Sequence, residues 1–201
     1  MNKLEGFYVL KSMGIPTVPW RRFTGQEALD ANLLWTVRVA VQNGNDVNLP
    51  RAIGVAAEEA VLIGKEYINE FLPDDLIIFY PYFIALKSGI IDLQESKTII
   101  EAVDKDLWNL TTFGRADETI IIDHLSGTIS IFGDALFLTD DEITELRNYA
   151  RKIKAVNRDY IFAESSVMVE WSYAVNTNVK REIIGGRYLV FTECKVVGTR
   201  E

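Results

Sequence analysis

Apolar and polar residues alternate over Trp35-Thr-Val-Arg-Val-Ala-Val41. Trp35, Val37, Val39 and Val41 take one face and Thr36, Arg38 and Ala40 the other, the period of a half-buried strand. Val167 to Val175 alternates the same way, with Val167, Val169, Trp171, Tyr173 and Val175 on one side and Met168, Glu170, Ser172 and Ala174 on the other. Leu4, Phe7, Tyr8 and Leu10 have helical spacing and predict a helix over Lys3 to Met13, closed by Gly14. Thr24 with Glu27 has the capping-box form and predicts a second helix ending near Asn32. Alanine, glutamate and aliphatic residues at i, i+3 and i+4 predict a helix over Ala56 to Asn69, stopped near Pro73. Leu76 to Ala85 is a strongly apolar strand, and Pro81 within it predicts an edge or a bulge. Lys87-Ser88-Gly89 reads as a turn, followed by short strands at Thr98 to Val103, Leu107 to Phe113, Thr119 to Asp123 and Thr128 to Phe132. Thr139-Asp-Asp-Glu142 is a second capping box and opens the longest helix, to about Asn157. Gly185-Gly186 predicts a hairpin turn into a last strand, Tyr188 to Val197.

Composition narrows the class. At 201 residues the chain buries one core or two small lobes sharing a cleft, and no composition shift marks a boundary, so a single domain over residues 1–201 is expected. A net charge of −8, spread along the chain, argues against a nucleic-acid or anionic-membrane partner, because phosphate backbones are held by clustered lysine and arginine. The single cysteine, Cys194, excludes an internal disulfide. No basic-then-apolar leader opens the sequence and no apolar run approaches the roughly 20 residues of a membrane span, so a cytoplasmic protein is expected. Cys194 follows Glu193, whose charge raises a thiol pKa and argues against a nucleophile. Arg38 and Glu170 are the charges on the polar sides of the two alternating strands. A guanidinium desolvated without a partner costs several kcal/mol, so Arg38 is expected to meet either a carboxylate or a phosphate.

The order of motifs supplies a further expectation. Lys3 precedes Gly14-Ile15-Pro16-Thr17-Val18-Pro19; Thr36-Val37-Arg38-Val39-Ala40 is followed by Asn45-Asp46 and Ala52-Ile53-Gly54; Leu76 to Ile84 leads to Ser88-Gly89-Ile90. Ile99-Ile100-Glu101-Ala102, Phe113-Gly114, Asp117, a long helix, Val169-Glu170-Trp171-Ser172, Gly185-Gly186 and Phe191-Thr192-Glu193-Cys194-Lys195 complete the series. Over the whole chain this order resembles the N-terminal nucleotide-binding domain of phosphoenolpyruvate synthases, pyruvate phosphate dikinases and rifampicin phosphotransferases, in shortened form. The resemblance implies an α+β, ATP-grasp-like fold, with mixed or antiparallel sheets and flanking helices forming two lobes around a cleft. It also implies ATP and Mg as ligands. Lys3, Arg38, Asp46, Tyr80 and Thr192 stand where that family binds nucleotide, and Glu170 where it binds the metal.

This chain departs from the family pattern at several points. Tyr80 replaces the strand glutamine, and the final Gln-x-Arg pair aligns without gaps to Thr192 and Cys194. A shift by one residue puts Glu193 and Lys195 on that face instead, and the sequence leaves the register open. Asp104-Lys105-Asp106-Leu107 replaces a glycine-rich loop. The family passes phosphate to a histidine on a swivelling domain; the one histidine here, His124, falls in a predicted turn. The chain by itself is therefore no complete dikinase. Two functions follow: a stand-alone Mg-ATP-binding protein, acting as an ATP-dependent phosphotransferase toward a separate histidine-bearing phosphocarrier chain, or a catalytically silent binding or assembly module. In the second, Arg38 pairs with Glu170, and Tyr80, Tyr82 and Phe83 mark a contact surface.

Overall fold

The computed structural model describes residues 3–41, 49–71, 73, 75–162 and 165–198. Helix α1 (Lys3–Ser12) ends at Gly14, whose φ of +61° suits the left-handed turn that closes it, and leads to the short strand β1 (Arg21–Arg22). Strands β2 (Leu34–Val41) and β3 (Arg51–Ala56) pair antiparallel. Helix α2 (Ala57–Phe71) crosses back, and β4 (Asp75–Pro81) returns between β1 and β2. The first sheet has the order β1-β4-β2-β3. Strands β5 (Phe83–Leu93) and β6 (Lys97–Asp104), helix α3 (Trp108–Phe113), and strands β7 (Glu118–Asp123) and β8 (Ile129–Gly133) follow. Helices α4 (Asp140–Val156) and α5 (Arg158–Phe162) then precede β9 (Ser165–Thr177) and β10 (Ile183–Gly198). The second sheet is antiparallel, in the order β10-β9-β5-β6-β7-β8.

Alternation along each strand divides the core in three. Trp35, Val37 and Val39 of β2, with Ile77 and Phe79 of β4, pack on α2. Ile91, Val169, Trp171 and Tyr173 face the other way in the second sheet and pack on Leu146, Ala150 and Ile153 of α4. The polar-side faces meet through a third cluster: Ala40, Ile78 and Tyr80 from the first sheet, Ala174 and Val190 from the second, and Phe7, Val18 and Trp20 between them. The space between the sheets is thus closed over part of its length by aromatic side chains. Tyr80 lies inside it, rather than on a contact surface, and Trp20 is 8% exposed.

Several local expectations are corrected. Thr24 starts no helix: the Glu27 carboxylate accepts from the Thr24 hydroxyl at 2.6 Å and from the N–H groups of Thr24, Gly25 and Gln26, which closes a turn, while Gly25 takes φ +89°. Pro81 ends β4, a strand inside its sheet, but β1 reaches only Ile78 and Phe79, so the Pro81 nitrogen faces a side with no strand partner among the described residues, a local edge as expected. Ser88-Gly89 is strand, not turn, because a Cβ at Gly89 would overlap the Trp171 ring and the Glu101 carbonyl oxygen. Leu107 to Phe113 gives α3 (Trp108–Phe113), with Leu110 buried, Leu107 partly buried one turn before it and Gly114 at φ +63° as the C-cap. The last hairpin reverses at Asn178 to Arg181, where Asn178 Oδ1 accepts from the N–H groups of Lys180 and Glu182; Gly185-Gly186 falls in a register shift within β10. β3 and α5 were not foreseen.

Candidate functional site

The register left open by sequence is decided by a bulge. Phe191 pairs with Trp171 and Glu193 with Glu170, which leaves Thr192 as the extra residue. Beyond it Cys194 lies opposite Val169 in the α4-side core, fully buried, so Glu193 and Lys195 share the face of Glu170. Glu170 is flanked on its other side by Ile90 of β5. Lys195 Nζ lies 3.4 Å from Glu193 Oε1 and offsets part of the repulsion between two carboxylates placed directly across a strand pair. One turn of pleat away, the Ser88 and Ser172 hydroxyls meet at 2.9 Å.

Opposing elements supply cations. Arg38 lies on the inter-sheet face of β2, half-buried, with its guanidinium carbon 5.7 Å from the centre of the Phe7 ring. Gly6 of α1 rests against the Cys194 carbonyl, where no Cβ fits, and this packs the first turn of α1 against the Glu193–Lys195 segment. Lys3 opens that helix, its side chain outside the described residues, as is Asp46. Tyr80 lies opposite Thr36 on the same inter-sheet face as Arg38. The structure thus brings Glu170, Glu193 and Lys195 to one face, beside the start of α1. It places Arg38 and Tyr80 on the sheet across the aromatic cluster.

An apolar cavity of about 410 Å³ opens where the chain crosses between sheets, walled by Val18, Pro81, Tyr82, Phe83, Tyr188 and Val190. No local sequence signal marked it, since its walls come from segments far apart in the chain, Pro16 to Pro19, Leu33, Pro81 to Phe83, Asn176-Thr177 and Ile184 to Val190. Asp117 is a loop former: its Oδ2 accepts from the Asp104 N–H at 2.7 Å. His124 is held at both ring nitrogens. Nδ1 lies 2.8 Å from both Lys154 Nζ and the Glu95 carbonyl oxygen, and Nε2 lies 2.9 Å from Thr98 Oγ1. Both nitrogens being engaged, the ring is built into the β7–β8 turn, against the β5–β6 turn, and is not presented to a phosphate donor.

Burial, reinforced by Glu193, pushes the Cys194 thiol up to about 12. A thiol reagent is therefore expected to leave the native protein unlabelled at neutral pH and to label one thiol per chain after unfolding in urea. Rapid labelling of the native protein would contradict this placement. No described helix is long and apolar enough to cross a membrane.

No protein-family model matches the chain, and no curated protein matches it. Solved structures do. The D-alanine–D-alanine ligase of Helicobacter pylori is 11% identical, with a TM-score of 0.52 over 96% of this chain and 50% of the ligase. Carboxyaminoimidazole ribonucleotide synthase from Aspergillus clavatus, solved with ATP, is 12% identical, with a TM-score of 0.49 over 96% of this chain and 44% of that one. The chain spans about half the length of these proteins or less. At such identities the likeness is one of fold: two antiparallel sheets with few helices, an α+β architecture of the ATP-grasp type.

Proposed function

We propose that the chain is a nucleotide-binding protein that holds Mg-ATP between its two sheets, a cytoplasmic relative of the dikinase nucleotide-binding domain. The observation that carries this reading is the direct opposition of Glu170 and Glu193 across β9 and β10, on one face with Lys195. Mg is commonly held by one or two carboxylates plus phosphate oxygens and water. Two carboxylates suit that habit, and among the described residues no group of three or more acids, histidines or cysteines forms a self-sufficient metal cage. Lys195, Arg38 and Lys3 are the cations for the phosphates, with Thr192 in the bulge next to Glu193 and Tyr80 on the same sheet as Arg38. Arg38 offers planar paired donors and Lys195 a point charge. The apolar cavity at Pro81 to Phe83 suits a base, because its walls carry no charge and Val190 lies three residues from Glu193. Bound Mg would draw charge from the phosphates, and the residues around it orient them and hold water away. The phosphate acceptor is then a separate chain bearing the histidine that this one does not present.

A second reading, a silent binding module, is favoured by one observation: Phe7, Trp20 and Tyr80 already pack between the sheets. Thermal unfolding with and without Mg-ATP separates the two. Ligand at 100 times its dissociation constant adds about 2.7 kcal/mol to the folded state, and at this length each kcal/mol moves the midpoint by about 2–4 °C. A rise of that size is expected for the wild type and none for Arg38→Ala, with the unliganded midpoints close together. No rise at millimolar nucleotide would leave the silent module standing.

A further inference from the structure

Every sheet edge except one is blocked, among the described residues. β1 consists of Arg21 and Arg22, and β3 carries Arg51 and is bulged at Gly54, which takes φ +66°. β10 is covered by the connector after α1: Phe191 N–H donates to the Pro16 carbonyl at 2.8 Å, and Thr17 Oγ1 donates to the Phe191 carbonyl at 3.1 Å. Charge, bulges and cover are the usual means by which edge strands are kept from pairing with other chains. β8 has none of them. Its sequence, Ile129-Ser-Ile-Phe-Gly133, has no charge and no proline, and all five residues are exposed, Phe132 by 57%.

The ladder fixes which of its backbone groups face outward. Asp134 N–H donates to Asp117 O at one end of the β7–β8 pair, and Asp123 N–H to Thr128 O at the other. Antiparallel pairs alternate between hydrogen-bonded and non-bonded positions, so the even-numbered residues of β8 bond to β7. The N–H and C=O groups of Ile129 and Ile131 therefore point away from the sheet.

We infer that β8 pairs antiparallel with β8 of a second copy of this chain about a two-fold axis near Ile131, joining two six-stranded sheets into one. The partner is a second copy because the segment complements itself. About that axis Ile131 meets Ile131, Ile129 meets Gly133 and Ser130 meets Phe132 of the second copy. On a chain of net charge −8, self-association needs a patch where no acid meets an acid, and in this register Asp134, the one acid among residues 128–134, meets Thr128. The pairing is independent of whether nucleotide binds between the sheets.

Sedimentation equilibrium of the whole chain over a broad dilution series is the test. The wild type is expected at twice the 22.8 kDa of one chain, dissociating on dilution. Ile131→Pro removes an outward N–H and leaves the β7 ladder its bonds, so this variant is expected as a monomer with an unchanged far-ultraviolet spectrum. Should the proline variant fail to fold, Ile131→Lys, which opposes a charge to itself at the axis, decides in the same way. A monomeric wild type would overturn the inference, as would a folded Ile131→Pro or Ile131→Lys chain that stays dimeric.

Discussion

Replacing Glu142 with alanine is expected to destabilise the protein by about 3–5 kcal/mol, the range for breaking a buried charge pair from one side. Glu142 is 1% exposed and accepts from Lys87 Nζ at 2.8 Å, from the Thr139 N–H at 2.9 Å and from Arg187. Its own N–H donates to Thr139 Oγ1, completing the capping box that starts α4. The Lys87 ammonium, about a quarter exposed and left with the Phe137 carbonyl at 2.5 Å, then loses its carboxylate. Arg187 is about half exposed, and its share is small. Glu142→Gln keeps an acceptor for Thr139 and removes the charge, so the difference between the two variants separates the cap from the ion pair.

The same variants have a defined pH dependence. Burial pushes the Glu142 carboxyl up, but hydrogen bonds from Lys87, Thr139 and Arg187 outweigh it and hold the group below its usual 4.5. A lowered acid contributes stability above its unfolded value and loses it as pH falls through its folded value. The gap between wild type and Glu142→Gln, measured by urea unfolding, is thus expected to be full near neutrality and to shrink below pH 4.5. Neighbouring Glu118 runs the other way. Burial raises its carboxyl, so its share is largest in acid and falls as pH rises through its folded value; the Glu142 charge adds to that rise, so Glu142→Gln also brings the Glu118 carboxyl part of the way down.

Trp171→Ala is the second large effect, at about 3–5 kcal/mol. Trp171 is fully buried, stacks edge-on to Tyr173 with ring centres 5.7 Å apart, and lies directly over Gly89. Gly89→Ala does not fill the hole, because a Cβ at that position still overlaps the Glu101 carbonyl oxygen of β6. The double variant is therefore expected to be less stable than Trp171→Ala alone, and equal or greater stability in urea would show that β5 and β6 can part. Trp171 and Glu170 alternate on β9, so this change empties the α4-side core and leaves the acidic face intact.

Much of the fold was legible as local periodicity. β2 and β9 alternate cleanly because one face of each packs on a helix, and α1, α2 and α4 carry their apolar residues at helical spacing. The Thr139 capping box formed as expected because both of its bonds lie within one turn. Thr24 and Glu27 have the same letters, yet there the hydroxyl and the carboxylate bond to each other and no helix follows. Leu107 to Phe113 failed for a related reason: six residues are too few to separate the two periods, and Leu110 chose the helix by packing against Ile90 and Val103.

The candidate site divides along the same line. Sequence by itself determined that Arg38 and Glu170 occupy the polar sides of two strands, that Cys194 is a poor nucleophile beside Glu193, and that the order of elements follows an ATP-grasp type. Only tertiary structure decided that a bulge at Thr192 turns Glu193 toward Glu170 and Cys194 into the core. It also decided that Phe7, Trp20 and Tyr80 meet between the sheets, and that β8 alone among the described edges stays uncovered. Periodicity is a property of one segment and survives in its letters. Register and coverage are relations between segments far apart in the chain, and one extra residue in a strand exchanges its faces without leaving a mark on the pattern.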